Sequence, residues 1–262
     1  MMKLENQIIL ITGGTSGIGL AFAKALAEKN KVIIVGRNLA KVQDFLAENS
    51  SVTALQADLT SSSDLVRLAA QVPDKLTLLI NCAGIMRPLN FFDGTGKAER
   101  FTDELATNLA APVILTKLLL PKLVKSGQET AIVNISSGLS YVASGAHPVY
   151  SATKAGINAF SDAVRAQAEY FGASGLHVIQ IAPPLISETN LEPSMRGENN
   201  TSNPLNMRLA DFIRVSLAGI ERNKNVINPG ASKFLRLLGH FAPLAVKNRI
   251  FQATLGVAFG GK

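Results

Sequence analysis

Seven short runs of aliphatic and β-branched residues divide this chain, and most of them lack polar alternation. They fall at Ile8–Thr12, Val32–Gly36, Val52–Gln56, Leu76–Asn81, Ala131–Ser136, His177–Ala182 and Asn225–Asn228. A strand that is apolar at nearly every position needs cover on both faces, which a sheet buried between helices provides. Helical patterns occupy the gaps at Gly17–Lys29, Leu39–Glu48, Ser62–Gln71, Arg100–Lys125 and Tyr150–Phe171. This alternation predicts an α/β fold: a doubly wound parallel sheet of about seven strands with helices on both faces and right-handed crossovers.

At 262 residues and 47% hydrophobic, the chain suits a single domain over 1–262, and no linker or repeat divides it. Two segments break the rhythm. Ser187–Met207 is polar and rich in turn formers, and reads as a mobile substrate loop over a ligand crevice. The tail, 232–262, is basic and apolar. After Glu221 there is no acidic residue, and the seven Lys and Arg beyond it account for the whole net charge of +7. Such a tail either caps the substrate pocket or a neighbouring subunit, or forms amphipathic helices around Pro243 that lie on a membrane surface.

The single cysteine, Cys82, excludes an internal disulfide and fits a reducing, cytoplasmic setting. The apolar run in "MMKLENQIILITGG" is about six residues, too short for a signal peptide. No run of about 18 uncharged apolar residues occurs, so a spanning helix is not expected. Nucleic-acid binding is not expected, because no recognition module or aromatic stacking surface is evident. No metal site is expected.

Directly after the first strand comes "TGGTSGIG", Thr12–Gly19, which opens a helix. That context turns a glycine pattern into a dinucleotide signature. Gly13 allows a tight turn, Gly17 lets the backbone approach a pyrophosphate, and Gly19 lets the helix pack close to the sheet. Free N–H groups at the helix start, over Thr15, Ser16 and Ile18, then bind phosphates. The second strand ends in "VGRN", Val35–Asn38. An NAD site usually places a carboxylate there for the ribose 2′-hydroxyl. Gly36 supplies none, and Arg37 can pair with a 2′-phosphate and stack on adenine, so NADP(H) is favoured over NAD(H).

Further motifs follow in order: "ADL" at Ala57–Leu59, "NCAG" at Asn81–Gly84, a helix asparagine at Asn108, and "NISS" placing Ser137 thirteen residues before Tyr150 of "YSATK". Jointly they resemble the classical short-chain dehydrogenase/reductase family, and "NISSGLSYV" with Pro183–Pro184 is similar to its DltE-like branch. The resemblance implies a Rossmann-like fold, adenine contacts from Asp58 and Leu59, and cofactor contacts from Asn81, Ala83 and Gly84. It implies that Pro183 and the backbone of Ile186 meet the nicotinamide carboxamide, with Ser187 or Thr189 supplying a hydroxyl. "APPLISETNL" departs from the family's usual text, since Pro184 stands where a glycine is usual and Thr189 lies one residue late.

Tyr150 and Lys154 share one helix face. A free phenol titrates near 10, and an ammonium one turn away is expected to lower that value until the tyrosine can exchange a proton with a substrate oxygen. The resemblance gives Ser137 the role of fixing that oxygen, Lys154 a contact with the nicotinamide ribose, and Asn108 a water that relays protons to Lys154. Cys82 is given no catalytic role. The function expected is NADP(H)-dependent hydride transfer between nicotinamide and a carbonyl or alcohol. Helices Arg100–Lys125 and Tyr150–Phe171 suit a homodimer or homotetramer. Two alternatives stand beside it: a non-catalytic NADP sensor, and a serine acyl-hydrolase built on "SATK", Ser151 with Lys154.

Overall fold

The computed structural model describes residues 1–94, 98–186, 188, 189, 191 and 206–259. Its strands are β1 (Ile8–Thr12), β2 (Lys31–Gly36), β3 (Val52–Gln56), β4 (Leu78–Asn81), β5 (Thr130–Ile135), β6 (Leu176–Ile181) and β7 (Val226–Ile227). All pair in parallel, in the order β3-β2-β1-β4-β5-β6-β7. Strand order reverses between β1 and β4, and at such a switch point the carboxyl ends of the strands open a crevice. Thr12 pairs with both Val35 and Asn81, so the loops leaving β1, β2 and β4 converge there.

Between the strands lie α1 (Gly17–Ala27), α2 (Gln43–Glu48), α3 (Ser62–Gln71), α4 (Ala98–Leu105), α5 (Ala111–Val124), α6 (Pro148–Tyr170) and α7 (Leu209–Glu221). One face of the sheet is covered by α1 and α7, where Phe22 meets Phe212 edge to face at 6.1 Å between ring centroids. The other is covered by α3 and α5, with Leu65, Leu68, Leu115, Leu119 and Leu123 buried on it. Truncating any one of these leucines to alanine is worth about 2–5 kcal/mol of stability. The apolar strands are therefore buried on both sides, as their sequence requires.

Three features differ from the sequence reading. The helix expected over Arg100–Lys125 is interrupted by a π segment, Ala106–Ala110, between α4 and α5. Pro112 lacks the N–H that an α-helix would aim at the Asn108 carbonyl, and the Ala111 N–H bonds Ala106 instead. The second feature is α7, which the strand–helix reading passed over. Third, Phe101–Val124 is long and apolar enough to cross a membrane by length and composition. Scattered charges such as Asp103, Glu104, Lys117 and Lys122 hide it from a search for uncharged runs, and here it is a core helix.

The chain closes with α8 (Ser232–Phe241) and α9 (Leu244–Phe259), which flank Pro243. Both pack on the segment between β5 and α6. A β-carbon on Gly138 would come within 2.7 Å of Leu235 Cδ1, and one on Gly145 within 2.5 Å of the Phe251 carbonyl.

Candidate active site and cofactor crevice

A cavity of about 760 Å³ opens at the carboxyl ends of the strands. One end is walled by the glycine loop. Gly13 and Gly17 hold φ of +70° and +52°, a region that side chains with a β-carbon rarely enter. A β-carbon on Gly13 would sit 2.8 Å from Ala83 Cα, so the loops after β1 and β4 touch backbone to backbone. The Thr12 hydroxyl locks that contact by accepting from the N–H groups of Cys82 and Ala83 at 3.0 and 3.2 Å. Ser16 stands at the N-cap of α1 without a side-chain cap hydrogen bond, which leaves the helix's first N–H groups for an anion. Thr15, Ser16, Gly17, Ile18 and Gly19 all line the cavity.

The end of β2 carries the second constraint. A β-carbon on Gly36 would fall 2.5 Å from Thr15 Cγ2, so no carboxylate side chain fits at this position without displacing the loop. Arg37, Asp58 and Leu59 line the same end. Asp58 accepts from the Thr60 N–H at 3.0 Å and the Thr60 hydroxyl at 2.9 Å. Those two hydrogen bonds, with a smaller contribution from the Arg37 charge, hold its carboxyl below the usual carboxylate range.

At the other end Ser137, Tyr150 and Lys154 come together, all of them buried. Pro148 starts α6 and puts Tyr150 in its first turn. Lys154 Nζ lies 5.5 Å from the Tyr150 ring centroid and donates to the Ile135 carbonyl at 2.8 Å. The Ser137 hydroxyl accepts from the Leu139 N–H at 3.1 Å and stands close enough to the Tyr150 phenol to favour its charged form. The electrostatics run against the expected lowering of the phenol. Burial pushes Tyr150 up to about 12, against the smaller lowering by Ser137. Burial also brings Lys154 down to about 8, against the raising charges of Cys82 and Glu104. Desolvation outweighs charge proximity here because both side chains are almost wholly buried.

Several expected roles move. Asn81 does not line the cavity: its amide donates to Asn134 Oδ1 at 2.8 Å, and Asn134 donates in turn to Ser161, a ladder inside the sheet layer. The Asn108 amide is also committed. It accepts from the Ile85 N–H at 2.8 Å and donates to the Ile85 carbonyl at 2.7 Å, pinning the loop that carries Ala83 and Gly84. Thr189 stands opposite Gly17 on the phosphate side, and its hydroxyl donates to the Ile186 carbonyl at 2.9 Å. Pro183 and Ile186 line the cavity, while Ser187 and most of the loop Ser187–Met207 lie outside the described residues. Ser151, offered as an alternative nucleophile, is buried; its hydroxyl accepts from the Ser144 N–H at 3.0 Å and takes no part in the cavity wall. An S-x-x-K hydrolase has no nucleophile here.

Sequence reasoning missed one contributor. Glu104 is fully buried on α4, one turn ahead of Asn108, and its charge raises both Tyr150 and Lys154. Its neighbours one turn away, Arg100, Phe101, Thr107 and Asn108, are mostly polar, so no sequence pattern singles it out. The inner side of the tail contributes as its capping reading expects: Leu235, Ile250 and Thr254 complete the cavity wall.

Comparison with known proteins agrees with this geometry. The family model described as short chain dehydrogenase matches residues 7–200. An uncharacterized oxidoreductase DltE of Bacillus subtilis is 34% identical over 230 residues, covering 86% of this chain and 89% of that protein. A short chain dehydrogenase from Burkholderia cenocepacia, solved in complex with NADP, superposes with a TM-score of 0.80 at 23% identity, over 95% of this chain and 99% of that one. A short chain dehydrogenase/reductase from Burkholderia phymatum in complex with NAD superposes at 0.77 with 16% identity, over 92% and 95% of the two chains. Nearly the whole chain is thus shared with proteins of one kind, and it belongs to the short chain dehydrogenase family as an oxidoreductase.

Proposed function

We propose that the protein is an NADP(H)-dependent carbonyl reductase, or an alcohol dehydrogenase in the reverse direction, working through Ser137, Tyr150, Lys154 and Asn108. The observation that carries this reading is a single cavity with a phosphate-binding helix start at one end and a buried Ser–Tyr–Lys cluster at the other. The NADP named with the B. cenocepacia structure supports the cofactor class, and the NAD of the B. phymatum structure shows that the fold accepts either. The preference for NADP rests on Gly36 and Arg37: a carboxylate is excluded by Thr15, and a guanidinium stands ready for a 2′-phosphate.

The residues fit the dinucleotide, since the α1 N-terminus offers N–H groups to its phosphates and Arg37 and Asp58 bound its adenosine end. When bound, the nicotinamide supplies or takes up the hydride. The chain's own part is to orient and to move a proton. The Ser137 and Tyr150 hydroxyls converge, so both can hydrogen-bond one substrate oxygen. With its pKa at about 12, Tyr150 is fully protonated at neutral pH and serves as the acid that protonates that oxygen in reduction. Lys154, at about 8, is mostly an ammonium at neutral pH and can resupply a proton. Because the Asn108 amide is spent on Ile85, a relay water falls to its main-chain carbonyl, which Pro112 relieves of an α-helical partner.

The wall from Met86, Leu185, Leu235 and Ile250 favours a bulky, lipophilic carbonyl. Exposed Ala152, Ala155 and Ala159 form a smooth stripe on α6, Leu105 on α4 is exposed as well, and both support a homodimer or homotetramer through α4–α6. The test is loss of nicotinamide absorbance from NADPH with a panel of ketones and aldehydes. Turnover on any of them supports the reading. Tight NADPH binding with no turnover on all of them replaces it with the sensor.

A further inference from the structure

The outer side of α8 carries a row of large exposed apolar side chains. Phe234, Leu237 and Phe241 recur at helical spacing and are 61%, 58% and 75% exposed, and Leu244 at the start of α9 is 69% exposed. These are large apolar side chains in a row, where single exposed ones would need no explanation. Lys233, Arg236 and His240 run alongside the row, all exposed. On the far side of the same helix Leu235 faces the cavity and Gly239 packs on the Tyr141 carbonyl. Lys247 ties the two helices together by donating to the Gly239 carbonyl at 2.6 Å.

We infer that α8 and the start of α9 dock on an anionic lipid bilayer, with Phe234, Leu237, Phe241 and Leu244 entering the acyl boundary and the basic row meeting the headgroups. The argument for this occupant is charge. Residues 222–262 contain seven Lys and Arg and no Asp or Glu. A second copy placed face to face would bring two basic rows together with no acidic residue of this segment to offset them. A negatively charged lipid surface attracts the same residues, and long basic side chains beside an apolar ridge suit the interface between headgroup and chain. Because the inner sides of these helices wall the cavity, docking would set its tail-lined side against the bilayer. The consequence, which rests on the carbonyl reductase reading, is that substrate is a lipophilic carbonyl drawn from the membrane rather than from water.

Vesicle co-sedimentation of the full chain tests the docking without any appeal to catalysis. The expected result is pelleting with phosphatidylglycerol vesicles, little with phosphatidylcholine vesicles, and weakening as salt is raised. Phe234→Asp/Leu237→Asp should abolish it, and Lys233→Gln/Arg236→Gln should weaken it on the order of tenfold or more. All four side chains are exposed and outside the cavity wall, so an unchanged thermal midpoint is expected and marks the variants as folded. Absence of pelleting with phosphatidylglycerol, or equal pelleting of wild type and both variants, overturns the inference. So does a change of oligomer size by light scattering in the variants without a change in pelleting, which assigns the face to a second copy. Any of these would leave the reductase reading standing, since that is decided by NADPH turnover on soluble ketones.

Discussion

The two ends of the crevice are built by different means. At the nucleotide end, glycine backbone fits against close neighbours: Gly13 lies on the Ala83 backbone, Gly36 lies under the Thr15 side chain, and a β-carbon on Gly19 would collide with the Gly13 carbonyl. At the substrate end the wall is made of side chains, with Leu235, Ile250 and Thr254 brought in by two helices from the end of the chain. Close backbone contact leaves one acceptable residue at each position, whereas a side-chain wall tolerates exchange of one apolar residue for another. The first end can therefore serve one ligand class, and the second can change substrate without loss of the fold.

Tyr150→Phe draws the sharpest line between the two ends, because it removes the proton donor and nothing else. Turnover with any carbonyl should fall by roughly 10²–10⁴-fold. NADPH affinity, measured by fluorescence titration, should stay within about twofold of wild type. A matching loss of affinity would mean that the phenol helps build the nucleotide end and that the division is false.

Next in size is Arg37→Asp, which tests the nucleotide end alone. Loss of a charged hydrogen-bond partner for a 2′-phosphate is worth about 1.5–3 kcal/mol, or roughly 10–150-fold in kcat/KM for NADPH. Activity with NADH should hold or rise. Gly36→Asp, the more obvious route to NADH, should fail for want of room beside Thr15. An unchanged NADPH to NADH ratio in Arg37→Asp would remove the NADP assignment.

The proton-transfer pair sits between the two ends and has its own signature. Lys154 is brought down to about 8, so its ammonium is present below that pH and lost above it, while Tyr150 stays protonated to about 12. The rate of reduction should therefore fall as pH rises through about 8. Glu104 raises both groups, so Glu104→Gln should move that inflection to lower pH and leave KM for NADPH unchanged. A profile that does not move would reduce Glu104 to a packing residue.

What the sequence made legible follows the same division. All seven strand runs lie within two residues of their observed bounds at each end, since unbroken apolar strands have no other stable place than a buried parallel sheet. The glycine loop was readable because part of its demand is local: the positive φ at Gly13 and Gly17 and the contact of Gly19 with the Gly13 carbonyl. Asn81 and Asn108 were not: their motifs place them correctly along the chain, but what their amides hold depends on Asn134 and Ile85, which are distant in sequence. The π segment was hidden as well: the helix expected over Arg100–Lys125 runs through Pro112, and the pattern does not show how the missing N–H is accommodated. The phenol was misjudged in direction because spacing shows a neighbouring charge but not the burial that outweighs it.

Smaller effects separate the two ends from the outside. Leu235→Ala should raise KM for bulky ketones severalfold, through lost apolar contact, while KM for NADPH stays put. The smallest effect is expected at Ser151, whose hydroxyl accepts the Ser144 N–H and faces away from the crevice. Ser151→Ala removes that acceptor and leaves one buried N–H without its partner, a cost of about 1–3 kcal/mol that a lowered thermal midpoint would show. Reductase turnover should be unchanged, because Tyr150 and Lys154 hold their places through Ser137 and the Ile135 carbonyl rather than through Ser151. Loss of turnover in a folded Ser151→Ala variant would bring the S-x-x-K reading back, and with it the question of which of two neighbouring hydroxyls on α6 does the chemistry.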